Sequence, residues 1–186
     1  MDEMLEEECR TEVGTGRRYR EEIPGIVDML VGSCGQDGCF DHVGPEPIPS
    51  RDAVIDILDR ANRILYPGYF IRERLEKFNI GYYLGQEATA LFEVLSEQIH
   101  LALRHECVRH TLPCVHCEEL GQEEALRFLR HMPEMRSVLA TDIRAAYQGD
   151  PAANSYDEVI FSYPGLFAVT VYRIAHQLYT QCVPLI

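Results

Sequence analysis

Apolar side chains recur along most of this chain at the three- and four-residue spacing of helices buried on one side. After Ser50, the positions Val54, Ile55, Ile57, Leu58, Ala61 and Ile64 mark one face of a helix. Ser50 is suited to cap it and Asp52 puts a negative charge in its first turn. Pro67-Gly68 should end it. A second amphipathic segment starts near Ile71 and is interrupted by Gly81 and Gly85. Ala88, Leu91, Phe92, Leu95, Ile99, Ala102 and Leu103 predict the longest helix, from Glu87 to about Glu106. The pattern breaks around Pro113. It resumes from about Glu118 to His131, and Pro133 restarts it as a separate helix to about Tyr147. Gly149-Asp150-Pro151 is a further break. A short helix over 155–162 has Ser155 as cap, and Pro164 opens a last one that runs toward Pro184. No segment alternates with period two and no internal repeat is present. The expected fold class is all-α, a bundle of roughly six to eight helices.

The first 49 residues read differently. Residues 1–22 are highly charged and carry no sustained apolar stripe. Residues 23–31 predict a short helix with Pro24 in its first turn. Residues 32–49 contain four glycines and three prolines and predict a linker. The expected organisation is a charged segment plus linker over 1–49 and a helical domain over 50–186.

Composition narrows the function classes. The 186 residues are 46% apolar and 25% charged, ordinary for a globular chain, with a net charge of −13. That charge argues against nucleic acid and anionic membranes as partners. No apolar run approaches the length of a membrane span. The start, MDEMLEEECR, is acidic where a secretory signal is basic and then apolar, so the expected location is the cytoplasm. Seven cysteines, an odd number in a reducing compartment, do not suggest a disulfide framework.

Two constellations could carry chemistry. The first is His105, Cys107, His110, Cys114, His116 and Cys117. Cys114-x-x-Cys117 has the bite of a zinc chelate, and Cys107 with a histidine would complete four ligands. Reduced thiols at a helix junction explain the same residues. Cys34 and Cys39 in the linker could join them or bind nothing. GTGRR at 14–18 lacks the ending of a phosphate loop. The second constellation is the Asp150-Pro151 corner. Pro151 fixes its own backbone and biases Asp150 away from helix. An acid there can cap the next turn, or project into a cleft and pair with a substrate ammonium group. Tyr172 and His176 fall on one face of the last helix, where a polar stripe packed on a neighbouring helix accounts for them.

The stretch from 141 to 186 closely resembles the N-terminal helical half of the serine O-acetyltransferases. The matching elements are Asp142-Ile143, Asp150-Pro151-Ala152, Tyr163-Pro164-Gly165 and Tyr172-Arg173-Ile174-Ala175-His176, in order over about 35 residues. Residues 50–140 fit the same region less distinctively.

The resemblance implies an acyltransferase of cysteine biosynthesis that moves acetyl from acetyl-CoA to the L-serine hydroxyl. In that family a left-handed β-helix of hexapeptide repeats follows the helical half, binds acetyl-CoA and carries the catalytic histidine. The repeated [LIV]-G-x4 pattern does not occur in these 186 residues. The expectation is therefore a chain with no catalytic or cofactor-binding residue of its own, inactive alone. One functional position carries over: Asp150, at the corner set by Pro151, matches the acid that contacts the amino-acid substrate. Tyr172, Arg173 and His176 would support that corner by packing and hydrogen bonding, and His176 is not the base. The resemblance also implies L-cysteine as a feedback inhibitor and a homo-oligomer, a trimer or dimer of trimers when full length. Two other readings remain for the residues themselves: a non-catalytic oligomerisation module, and a metal-binding helical protein using Cys107, Cys114 and Cys117.

Overall fold

A computed structural model describes residues 19–36, 40–44, 46–72, 74–113 and 115–186. The chain divides into two compact units, Met1–Pro45 and Glu46–Ile186. Six helices and no strand occur among the described residues, in agreement with the all-α expectation. They are α1 (19–33), α2 (Arg51–Leu65), α3 (Ile80–Arg109), α4 (Cys117–Gly149), α5 (Tyr156–Ser162) and α6 (Pro164–Thr180). The GTGRR stretch, Cys9, Cys39 and Cys114 lie outside the described residues.

In the first unit α1 already runs at Tyr19, so Pro24 sits inside the helix and not in its first turn. Every described residue of α1 is exposed. Water can therefore take the carbonyl of Arg20 that Pro24 leaves without a donor.

In the second unit α3 and α4 form an antiparallel hairpin joined by residues 110–116. Cys107 near the end of α3 meets Cys117 at the start of α4, and Gly121 lies against Ser96 and His100 one turn further in. A Cβ on Gly121 would stand 2.8 Å from the Ser96 carbonyl oxygen and 3.1 Å from the His100 nitrogen. The glycine is there because two helix backbones touch. Below it, Ala125, Phe128, Met132, Met135 and Leu139 form the buried stripe of α4 and share one core with Leu91, Leu95 and Ile99 of α3. Ile57, Ala61, Ile64 and Leu65 of α2 and Ile174 and Leu178 of α6 close the same core.

Two expected breaks are absent, and one physical reason covers both. Gly81 and Gly85 do not interrupt α3, and Pro133 does not divide α4. All three residues are exposed, and the core-facing positions on either side keep helical spacing. Interior Gly costs about 1 kcal/mol and Pro about 3 kcal/mol in a helix. The burial of several side chains, each worth about 1.5–3 kcal/mol, exceeds that. In consequence α4, with 33 residues, is the longest helix, ahead of α3 with 30.

The helix starts follow the sequence closely. Ser50 accepts from the Ala53 N–H, and its own N–H donates to the buried Gln98 side chain at 2.7 Å. Ser155 accepts from the Glu158 N–H at 3.1 Å, and Pro164 opens α6. The ends of α3 and α6 carry no glycine. Thr111 and Cys182 take left-handed φ values of 55° and 59°. In both places the next N–H reaches back five residues, Leu112 to the Cys107 carbonyl and Val183 to the Leu178 carbonyl. These are Schellman closures on residues that pay a steric penalty for them. The last helix therefore ends at Thr180, ahead of Pro184.

Opposite outcomes are expected for one substitution at two glycines. Gly85→Ala, where nothing lies within 4 Å of the added methyl, should raise stability by about 1 kcal/mol. Gly121→Ala should lower it by about 1–2 kcal/mol, because the clash exceeds the propensity gain. Urea unfolding of both variants measures the difference.

Candidate functional site

Asp150 ends α4 as its C-cap, with an extended backbone at φ −117° and ψ 104°. This is the conformation that a following proline imposes. Pro151 is exposed and begins a turn in which the Ala153 N–H donates to the Asp150 carbonyl at 3.1 Å. The half-buried Asp150 carboxylate is held at both oxygens. Oδ1 accepts from the Ala152 N–H at 2.9 Å, and Oδ2 accepts from the Tyr163 hydroxyl at 2.7 Å. The first bond is the capping role open to any acid at such a corner. The second links Asp150 across thirteen residues to the start of α6.

These bonds favour the charged form of Asp150. The Tyr163 hydroxyl, and then the Ala152 N–H, hold the Asp150 carboxyl below its ordinary range. The Tyr163 hydroxyl is pushed up to about 12, because its ionisation would break the bond to Asp150. Asp150 is thus an anion at neutral pH with two acceptor directions used and about two left for a ligand.

Three further contacts fix the corner. Arg173 makes a two-pronged bond to Asp142, Nε to Oδ2 at 2.6 Å and Nη2 to Oδ1 at 2.7 Å, which ties α6 to the last part of α4. Glu158 accepts from the backbone and side-chain nitrogens of Asn154 at 2.8 and 3.0 Å, which closes the turn after Pro151 and keeps that carboxyl below its usual range. Tyr69 donates to Asp157 at the start of α5 at 2.5 Å. On the buried side Thr170 gives its hydroxyl proton to the Leu166 carbonyl at 2.9 Å. Tyr66 is therefore the donor in its 2.8 Å bond to Thr170.

Of the trio on α6, only Arg173 reaches another helix. Tyr172 and His176 stack on each other at 5.7 Å on the exposed side of α6. They do not form a polar stripe packed on a neighbouring helix, because α6 buries the opposite positions Leu166, Thr170, Ile174 and Leu178. Tyr163 was visible in the sequence as part of a matching element, but nothing in its spacing indicated that its hydroxyl would bind Asp150.

The cysteine cluster is partly assembled. Cys107 and Cys117 bring their sulfurs to 3.7 Å. The histidines around them have other partners: His105 Nδ1 donates to the Pro47 carbonyl at 3.1 Å, His110 faces Glu106 and His116 faces Glu119. Among the described residues no three Cys, His, Asp or Glu side chains form a group suited to a metal. Cys34 is exposed and bonds the Leu30 carbonyl. Among the described residues no helix is long and apolar enough to cross a membrane.

No family model matches the chain. It is 36% identical over 147 residues to the serine acetyltransferase (plasmid) of Synechococcus elongatus, covering 75% of this chain and 45% of that protein. Over 44 residues it is 52% identical to the serine acetyltransferase of Bacillus subtilis, covering 24% of this chain and 20% of that one. Its fold is similar to the crystal structure of Entamoeba histolytica serine acetyltransferase 1 in complex with L-cysteine, with a TM-score of 0.53 and 27% identity, covering 69% of this chain and 42% of the other. Each match spans less than half the length of the relative.

The Tyr163–Asp150 bond makes a pH prediction. Tyr163 has a folded value of about 12, above the value of about 10 for a free phenol, so its stabilising bond is fully present below about pH 10 and lost as pH rises through about 12. For Asp150 the sign is reversed: its contribution is present above the free carboxyl value of about 3.9 and lost as pH falls through the lower folded value. Tyr163→Phe should return the Asp150 carboxyl toward its ordinary range. Carbon-13 NMR titration of the carboxyl carbon reads this, and an unchanged midpoint would refute the coupling.

Proposed function

We propose that this chain, whose fold is that of the N-terminal helical region of the serine acetyltransferases, holds the amino-acid substrate in an enzyme that moves acetyl from acetyl-CoA to the L-serine hydroxyl. The observation that carries the reading is Asp150, an acid at the family's Asp-Pro corner whose charge and direction are both fixed. The serine ammonium group pairs with the open side of that carboxylate. Tyr163 aims the carboxylate and favours its charged form, and Arg173–Asp142 keeps α6 in register with the end of α4. With its ammonium held, the serine hydroxyl is presented to a base and to the thioester. Orientation of this kind supplies several kcal/mol of acceleration.

Neither that base nor a thioester groove is assigned to a residue here. The 186-residue chain alone is therefore expected not to turn over. L-cysteine differs from L-serine only in sulfur for oxygen and offers the same ammonium to Asp150, which makes it a competing occupant and a feedback inhibitor.

A second role, assembly, is favoured by α1. Ile23, Ile26, Val27 and Leu30 lie on one face of this helix and are each at least 46% exposed. An apolar stripe of that kind is expected to pair in a homo-oligomer.

The site is tested on protein tagged at its own gene and purified from its source. A mass well above 21.3 kDa would support the acetyltransferase reading, and a mass of 21.3 kDa would count against catalysis and leave assembly. Asp150→Ala should lower kcat/KM for serine by about 10–100-fold, the worth of one charged hydrogen bond, and leave the KM for acetyl-CoA nearly unchanged. Unchanged serine kinetics would remove Asp150 from the site. Serine acetylation by the 186-residue chain, free of host enzyme, would show that it needs no further residues. For assembly, Ile26→Glu with Leu30→Glu should lower the sedimenting mass of the oligomer.

A further inference from the structure

We propose that Cys107 and Cys117 are a thiol modification site at the open end of the α3–α4 hairpin, closed to a disulfide by hydrogen peroxide and reopened by thiols. Cys107 is half-buried in the last turn of α3, and Cys117 is the buried first residue of α4. Their sulfurs stand 3.7 Å apart, and a disulfide needs about 2.05 Å. The side chains belong to different helices, and both backbones are fixed beside them. The Schellman closure takes the Cys107 carbonyl as its acceptor at 2.8 Å. One turn after Cys117, Gly121 sits in backbone contact with α3. The two sulfurs therefore face each other between anchored helix ends, and side-chain rotation is the nearest motion that could close the gap.

Cys107 is itself partly exposed to solvent. Cys117 lines an open cleft of about 620 Å³ together with His100, Arg104 and Gln122. The more exposed Cys107 reacts first. Its sulfur attacks one peroxide oxygen, the O–O bond breaks, and water leaves after proton transfer, giving a sulfenic acid. The Cys117 sulfur then attacks the Cys107 sulfur. An S–S bond forms, the S–O bond breaks, and a second water leaves. Two thiols lose two electrons and two protons, and one peroxide becomes two waters. The disulfide ties the hairpin across residues 108–116, which include the loop between α3 and α4.

The test uses the purified 186-residue chain, reduced, freed of reductant and treated with hydrogen peroxide near stoichiometry. The expected product is lighter by about 2 Da, reverts with dithiothreitol, and yields a proteolytic peptide linking Cys107 to Cys117. Its unfolding midpoint should exceed that of the reduced chain. The link should persist in Cys114→Ser and vanish in Cys107→Ser, with circular dichroism confirming that both variants stay helical. A link only between Cys114 and Cys117 would overturn the proposal. So would over-oxidation without a link, or stoichiometric zinc that blocks it.

Discussion

The second unit depends on the uninterrupted run of α4. A 33-residue helix rises about 50 Å, and every other helix of that unit packs against it or follows from its ends. Its stripe from Cys117 through Gly121, Ala125, Phe128, Met132, Met135 to Leu139 is spaced by threes and fours without a gap. Pro133 falls on the exposed side of that stripe. Were the helix to break there, Phe128 and Leu139 could not share one core, and the corner at Asp150 would lose its fixed relation to α6. The close approach at Gly121 sets the other end, since only a residue without a side chain lets α3 and α4 meet at backbone distance.

From that frame the corner is built by polar bonds. Arg173 and Asp142 are both half-buried, and their two-pronged contact is directional. It fixes rotation of α6 about its axis, which apolar packing of Leu166, Ile174 and Leu178 alone leaves looser. With α6 fixed, Tyr163 at its entrance comes to 2.7 Å from Asp150. The chain of constraint runs from core stripe to ion pair to tyrosine to carboxylate.

How much of this the sequence disclosed follows from how local each signal is. Caps are local, so Ser50, Ser155 and Pro164 announced their helices within a residue or two. Breakers are also local, but their effect is not. Gly81, Gly85 and Pro133 each carry a cost that long-range burial outweighs, so reading them as stops failed. Thr111 and Cys182 failed in the opposite sense, ending helices without a glycine to mark the place. The Asp150-Pro151 corner was legible because proline dictates its neighbour's backbone. The Tyr163 bond was not, because it depends on the angle between α4 and α6, which only tertiary packing sets. The same applies to Cys107 and Cys117, whose approach depends on how the hairpin closes.

Asp150 occupies a position that simple electrostatics disfavours. The C-terminal end of a long helix carries about half a negative charge, and the last turn of α4 has no basic residue to offset it. A carboxylate placed there should be harder to ionise. The bonds from Tyr163 and Ala152 act the other way and hold the Asp150 carboxyl below the ordinary range. Those two donors satisfy the carboxylate without neutralising it. The end of α4 and the half-buried Asp150 side chain therefore both contribute negative potential at the corner. The ammonium group of the proposed substrate would meet the formal charge of that carboxylate. Under the proposed function an acid at this corner has a use beyond capping, which an Asn or Ser would perform as well.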